Sequence, residues 1–379
     1  MEDPRSDDTL RLVRESIRRF VEKEVAPRAH AWEEQGFVPR EVLREMGRLG
    51  FLGLRYAEEF GGGGLDARAT ALLGEELGRS TFGGFAITVL VHTDMASPHL
   101  VNAGSPEQIR KYLPGIVSGE LITAVGVTEP DAGSDVKAIR TSARRDGGDW
   151  VLNGSKMFIT NGALADICFV AAKTDPAAGS KGISMFIVER GTRGFSVGRR
   201  LDKMGWRSSD TAELILDDCR LPAANLLGEE NRGFYAIMKN FQNERIAIAA
   251  MTMGEAARAI ELTLEYVRTR KAFGATLWDK QAIRQRLSML AAKVEAGRQL
   301  VLHAASLDAQ GRDCVKEVSM AKAYCAELLN DVVYDCLQFH GGAGYIRETA
   351  IERMYRDARV QSIGGGATEV MLEEVAKRL

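Results

Sequence analysis

Hydrophobic positions along the 379-residue chain change period twice. Leu10, Val13, Ile17 and Phe20 recur at helical spacing, and the residues up to about Leu113 keep that character, with Gly and Pro punctuation and little alternation. The first third predicts helices. From Leu121 the runs are short and β-rich: LITAVGVT, WVLNGSKMFIT, ICFVAAK, ISMFIVE, FSVG and AELILDD. Asn153-Gly154 inside the second run predicts a hairpin turn, because both turn positions need positive φ. No helical pattern separates these runs, so βαβ units are not expected and the middle third predicts an antiparallel β domain. After about Gly233, Ile246, Ala250, Met253, Ala257, Ile260, Leu264 and Val267 alternate steps of four and three, which predicts a long helix with one buried stripe. Ile283, Leu287, Leu290 and Val294 repeat the pattern. So do Ala321, Cys325, Leu328, Val332, Cys336 and Phe339, after a break at Gln310-Gly311. The expected class is α+β: a helical domain over residues 1–120, a β domain over 121–232 and a bundle of long helices over 233–379.

Composition narrows the partners. Hydrophobic residues make up 45% and charged residues 27% of the chain, the proportions of an ordinary folded soluble protein. The longest apolar run, Phe85 to Val91, falls far short of the roughly 20 residues that cross a bilayer. Lys and Arg total 50 against 52 Asp and Glu, so the net charge of -2 offers no general attraction for nucleic acid or anionic lipid. The acidic opening MEDPRSDDTLRL is unlike a secretory or transit segment, which gives the expectation of a cytoplasmic protein. Five cysteines without a CxxC pair predict buried thiols, and five histidines without ligand spacing predict no metal site.

Several chemistries lack their signatures. The glycine clusters 61–64 and 341–344 fail the GxGxxG spacing, and neither a P-loop nor a GxSxG elbow is present. By contrast, Val125-Gly126-Val127-Thr128-Glu129-Pro130-Asp131-Ala132-Gly133-Ser134-Asp135 carries a β run into a loop dense in hydroxyls, carboxylates and glycine. Lys156-Met157-Phe158-Ile159-Thr160-Asn161-Gly162 adds a second polar edge with an aromatic. Two such loops on one β domain suit a flat heteroaromatic ring with a polar rim, such as a flavin.

At these segments the sequence resembles the acyl-CoA dehydrogenase family of flavoproteins. The resemblance continues through Gly205-Trp206-Arg207-Ser208-Ser209-Asp210-Thr211, Leu227 to Phe234, Arg268 to Gly274, Gln281, Gln338 to Tyr345 and Arg356-Asp357-Ala358, and so covers nearly the whole chain. It implies the same helical, β, helical order, bound FAD and a homo-oligomer, usually a tetramer. It also implies an acyl-CoA substrate and an electron-transferring flavoprotein as electron acceptor. By the resemblance Val125, Val127, Thr128, Gly133 and Ser134 run along the flavin, with Thr128 on its pyrimidine side and Ser134 near the substrate's pantetheine. Phe158, Ile159 and Thr160 cover the ring and its N5 region. Arg270, Phe273, Gln281, Gln338, Phe339, Gly341 and Gly342 match contacts to the pyrophosphate and adenine half across a subunit boundary. Ala367, Thr368 and Glu369 match the C-terminal contact, although Ala367 replaces a common threonine.

The family's usual base, a glutamate near the C-terminus, is replaced here by Gly365 within Ile363-Gly364-Gly365-Gly366-Ala367. Members resembling isovaleryl-CoA and long-chain acyl-CoA dehydrogenases carry the base on the long helix instead, directly before an arginine. That place reads Gln242-Asn243-Glu244-Arg245, so the resemblance implies Glu244 as base and Arg245 as a positioning residue. From the pattern alone, Glu244 opens an amphipathic helix and is solvated. Gly365 retains a main-chain N–H for the thioester oxygen. The substrate is expected against Ser134, Gln242 to Arg245 and Gly364 to Gly366, the three glycines leaving space for a branched or bulky acyl chain. Returning the carboxylate to its usual place, with Glu244→Gly and Gly365→Glu together, is expected to restore part of the activity. The alternatives within this resemblance are an acyl group on a carrier protein, an oxidase using oxygen, and a nucleic-acid-binding flavoprotein, which the charge disfavours.

Overall fold

The computed structural model describes residues 8–379; the acidic opening MEDPRSD, on which the cytoplasmic expectation partly rests, lies outside them. Helices come first: α1 (Asp8–Phe20), α2 (Ala29–Gln35), α3 (Arg40–Arg48), α4 (Ala67–Gly78), α5 (Gly83–Leu90), α6 (Ser97–Ala103) and α7 (Pro106–Val117). Ser105 and Gln108 close the start of α7 with a reciprocal capping box. Between α5 and α6, Val91–Ala96 winds as a π-helix, a wide turn often met beside functional sites.

A single sheet follows, built from β1 (Thr123–Gly126), β2 (Ser142–Asp146), β3 (Asp149–Thr160), β4 (Ile167–Lys173), β5 (Ile183–Glu189), β6 (Phe195–Arg200), β7 (Thr211–Pro222) and β8 (Leu226–Leu227). The order is β6-β7-β3-β2-β4-β5-β8, with β1 added against β4. The antiparallel expectation fails at β1, which lies parallel to β4, and at the single parallel bridge between Ser142 and Lys173. In both cases a long connection joins the paired strands, so no hairpin imposes antiparallel pairing.

Asn153-Gly154 is not a hairpin turn. The turn falls at Gly147-Gly148, between the facing residues Asp146 and Asp149. Asn153 and Gly154 remain inside β3, opposite a bulge in β7 where the register slips between the Leu152–Cys219 and Gly154–Leu216 pairs. The Asn153 side chain accepts from the Asp218 N–H at 2.9 Å and donates to its carboxylate at 3.1 Å. Gly154 admits Thr141, whose Oγ1 a Cβ would meet at 2.5 Å. The dipeptide therefore serves a bulge and a close approach rather than a chain reversal.

The last third holds α8 (Gly233–Thr269), the small hairpin β9 (Lys271–Ala272) and β10 (Ala275–Thr276), α9 (Gln281–Ala309), α10 (Val315–His340), α11 (Ala350–Ala358) and α12 (Thr368–Ala376). The expectation of one buried stripe on α8 fails in its middle, where every residue from Asn243 to Ala256 is buried. The cause is long-range packing: α4 covers one side while α9 and α10 cover others. Glycines set the α4–α8 distance. A Cβ on Gly78 would lie 2.1 Å from the Met251 carbonyl oxygen, and one on Gly254 would lie 2.0 Å from that of Glu75. All five cysteines are buried and unpaired. No helix among the described residues is long and apolar enough to cross a membrane.

Because the obstructing atoms at Gly78 are backbone, Gly78→Ala is expected to destabilise the protein by at least the ~1–3 kcal/mol of an overpacked core. Gly148→Ala, with nothing within 4 Å of the new Cβ, should stay within about 0.5 kcal/mol of wild type. Parallel thermal melts of the two variants check the contrast.

Candidate active site

The two loops singled out on the β domain are fastened together by a buried ion pair. Lys156 is fully buried, and its Nζ lies 2.6 Å from Glu129 Oε1 and 3.3 Å from the Val127 carbonyl oxygen. Glu129 also accepts the main-chain N–H groups of Arg140 and Thr141. Burial alone would raise the Glu129 carboxyl, but the Lys156 charge and these donors outweigh it and hold it below its ordinary value. Met157 N–H donates to the Thr128 carbonyl at 2.9 Å, closing the second link between the loops.

Beside this staple β3 bulges. Lys156 faces Leu214 while Ile159 faces Ala212, which leaves one extra residue in Met157-Phe158. Phe158 is held at φ 61°, a costly conformation for an aromatic residue, and its side chain is 65% exposed. Thr160 stays in register opposite Thr211, half-buried, and Ile159 is buried. Thr128 is half-buried, while Gly133 and Ser134 are exposed at the loop end. Val125 and Val127 pack against the same apolar cluster as Phe234, Met238 and Phe241 of α8, so one core supports both the loop and the start of the long helix.

Glu244 lies eleven residues after the first residue of α8, Gly233, and the expectation of a solvated helix-opening glutamate is wrong. It is buried, and Asn240 Nδ2 donates to its Oε1 at 2.9 Å. Burial pushes its carboxyl up to about 7, against the opposing effects of Asn240 and the Arg245 charge. Arg245 is buried as well. Its guanidinium lies over the Phe241 ring at 5.5 Å, and its Nε has no hydrogen-bond partner. One helical turn beyond Glu244, on the same face, Ile248 reaches the glycine loop, where a Cβ on Gly365 would meet Ile248 Cδ1 at 2.3 Å. Glu244 thus shares a helix face with the side chain that abuts Gly365. The Gly365 N–H makes no hydrogen bond among the described residues and stands open as a donor.

Gln242 and Asn243 turn elsewhere, as residues one and two before Glu244 must on a helix. They line a cavity of about 530 Å³ with Arg55, Asp94, Asp308 and Asn240, the residue that bonds Glu244. Asn243 donates to the Asp94 carbonyl at 2.6 Å and accepts from Arg55, and Gln242 Oε1 accepts from Cys314. At two of the three glycines the Cβ position itself is taken by another side chain. Ile248 occupies it at Gly365, and Met371 Cε lies 2.6 Å from a Cβ on Gly366. A Cβ on Gly364 would make ordinary contact, its nearest neighbour being the Val360 carbonyl oxygen at 3.6 Å.

The remaining residues gather at one end of the bundle. Successive helices run antiparallel, so the end of α8, the start of α9 and the end of α10 meet, and Tyr266 stacks on His340 with centroids 4.5 Å apart. Arg270, Phe273, Gln281, Gln338, Gly341 and Gly342 are all exposed there, with Phe339 half-buried. Ala367, Thr368 and Glu369 line a cavity of about 430 Å³ with Ser362 and Arg359. Thr368 Oγ1 donates to Glu327 at 2.8 Å, whereas Ala367 caps α12 with no side-chain bond.

Comparison with known proteins fits this arrangement. Models of the acyl-CoA dehydrogenase N-terminal, middle and C-terminal domains match residues 7–120, 124–219 and 231–379. The chain belongs to the acyl-CoA dehydrogenase family. It is 44% identical over 97% of its length, and 86% of the relative, to the mitochondrial long-chain specific acyl-CoA dehydrogenase of Sus scrofa. Among solved structures, it superposes with a TM-score of 0.95 on one described as electron transferring flavoprotein of Acidaminococcus fermentans. That chain is 36% identical, with 100% of this chain and 98% of the other covered. A glutaryl-CoA dehydrogenase from Mycobacterium smegmatis, solved with FADH2, gives 0.93 at 31% identity, covering 98% and 94% of the two chains. Acyl-CoA dehydrogenases bind FAD. The residues here fit that cofactor: the strained, outward Phe158 offers a ring face and the 430 Å³ cavity offers a recess.

Sequence reasoning missed Asn240, which touches Glu244, and Lys322, which holds the glycine loop. Glu129 and Lys156 stand within the sequence motifs, where no local pattern signals their pairing. A lysine between Ala321 and Cys325 in an apolar stripe was the available signal for Lys322. Lys156→Met would strand a buried carboxylate, at a cost of about 3–5 kcal/mol, and should lower FAD retention and the melting temperature together. Because positive φ and Ile248 close the Gly365 position, Glu244→Gly with Gly365→Glu is expected to show no recovery of flavin reduction over Glu244→Gly alone. Anaerobic bleaching measures it.

Proposed function

We propose that the protein oxidises an acyl-CoA thioester between its α and β carbons to the trans-2-enoyl-CoA, with Glu244 as base and an electron-transferring flavoprotein as acceptor. The observation that carries this reading is the buried carboxylate of Glu244 one turn from the side chain that abuts Gly365. A thioester α-proton is weakly acidic, and a desolvated carboxylate has its proton affinity raised towards what the transfer needs. Glu244 takes that proton while the open N–H of Gly365 donates to the thioester oxygen, where negative charge develops. Arg245, buried beside Glu244 with an unpaired Nε, orients the polar part of the substrate and favours the ionised base. Val125, Val127, Thr128, Gly133, Ser134, Phe158, Ile159 and Thr160 would hold the flavin ring; Arg270, Phe273, Gln281, Gln338, Phe339, Gly341, Gly342, Ala367, Thr368 and Glu369 would hold the rest of FAD. When bound, FAD supplies the acceptor for the β-hydride.

Phe273 is 96% exposed and Tyr345 84%, a surface that a second subunit would cover, and this supports a homo-oligomer, in our reading a tetramer. The likeness to the electron transferring flavoprotein structure supports the proposed acceptor.

Glu244→Gln should retain FAD and bind acyl-CoA, while anaerobic flavin reduction falls by the roughly 10²- to 10⁴-fold of a lost general base. In the wild type, reduction requires ionised Glu244, so the rate should rise with pH through about 7 and fall about tenfold per unit below it. Stopped-flow reduction across pH 5–9 measures both; rapid, pH-independent reduction by Glu244→Gln would remove Glu244 from the role.

A further inference from the structure

Lys322, on α10, is fully buried. Its ammonium donates to the main-chain carbonyls of Gln361, at 2.7 Å, and of Gly366. Among the described residues it forms no ion pair; the charges facing it are Arg245 on α8, Glu327 on its own helix and Glu369 on α12. Burying an ammonium against carbonyls alone is costly, and methionine would fill similar space without that cost.

The two carbonyls bracket the glycine loop. Within it, the N–H groups of Ile363 and Gly364 both donate to the Val360 carbonyl, and the Gly365 N–H is left free. Gly365 and Gly366 sit at φ 65° and 102°, where glycine has no steric guide to one conformation. The far end of the loop is tied down by Lys322 at Gly366, while Gln361 is tied both by Lys322 and by its own amide to Glu255 Oε2 at 3.4 Å.

We propose that Lys322 is a positioning residue for α-proton abstraction: by clamping Gln361 and Gly366 it aims the free Gly365 N–H at the thioester oxygen. Its positive charge, behind the same loop, favours the enolate over the neutral thioester. This inference rests on the dehydrogenation reading above. A misaimed donor loses most of its value, since transition-state stabilisation needs placement within about 1 Å.

The test uses FAD-loaded protein and an acyl-CoA analogue with sulfur in place of the β-methylene, which can lose its α-proton but has no β-hydrogen to give. The readouts are FAD content, analogue dissociation constant and the rate of C2 hydrogen exchange with deuterium oxide. Lys322→Met should keep FAD and bind the analogue within about threefold of wild type, while exchange slows by roughly tenfold to a hundredfold, within the range for an oxyanion donor. Lys322→Gln, whose neutral amide can still donate, should recover part of the loss. Exchange within twofold of wild type in Lys322→Met would overturn the proposal, as would equal losses in binding and exchange. Should neither variant fold, the wild-type exchange rate decides. It should rise as Glu244 ionises and fall again as Lys322, lowered by burial to about 8, loses its proton; a rate flat up to pH 10 would overturn the role. No exchange at any pH in the wild type would overturn the dehydrogenation reading and this inference with it.

Discussion

The close approach of α4 to α8 is the constraint on which the site depends. Two glycines on α4, Gly74 and Gly78, and Gly254 on α8 remove the side chains that would hold the helices apart. Glycine inside a helix costs about 1 kcal/mol relative to alanine, and here that cost is offset by the apolar surface the contact buries. The consequence is a continuous buried stretch in the middle of α8, from Asn243 to Ala256. A glutamate placed there loses its water. Burial raises the proton affinity of Glu244, as the proposed base role needs, while Asn240 and Arg245 oppose the rise. The same residue on an exposed helix would be a surface carboxylate without chemical consequence.

Two buried lysines do the corresponding work for the loops. Lys156 binds the Val127 carbonyl and Glu129, fixing the loop that follows β1 against the bulge that presents Phe158. Lys322 binds the Gln361 and Gly366 carbonyls, fixing the loop that presents the Gly365 N–H. In each case an ammonium with several donors organises an irregular main chain that regular secondary structure cannot. Both sit behind the functional surface rather than on it.

The order of helices, sheet and helices was legible because each third of the chain has its own hydrophobic period, and the motif loops were legible because their letters are unusual. What failed were inferences about space and neighbours. Asn153-Gly154 carries the letters of a turn but faces a bulge at Asp218, a partner 65 residues away. The Cβ positions of Gly365 and Gly366 are taken by Ile248 and Met371, which no local periodicity connects to them. Glu244 is buried in a stretch of α8 that helices distant in sequence cover, α4 far earlier and α9 and α10 later. Periodicity reports which face of an element is apolar; it cannot report that a second helix covers the polar face as well.

The central claim is that the proton leaves to a carboxylate in the middle of a buried helix rather than to the C-terminal loop. The most direct measurement is exchange of the C2 hydrogens of the β-sulfur acyl-CoA analogue in FAD-loaded Glu244→Gln protein, against wild type, with FAD content and analogue binding checked in both. The account predicts exchange in the wild type that grows with pH through about 7 and is lost in Glu244→Gln, with binding preserved. Undiminished exchange in Glu244→Gln would show that another group takes the proton and would contradict the account.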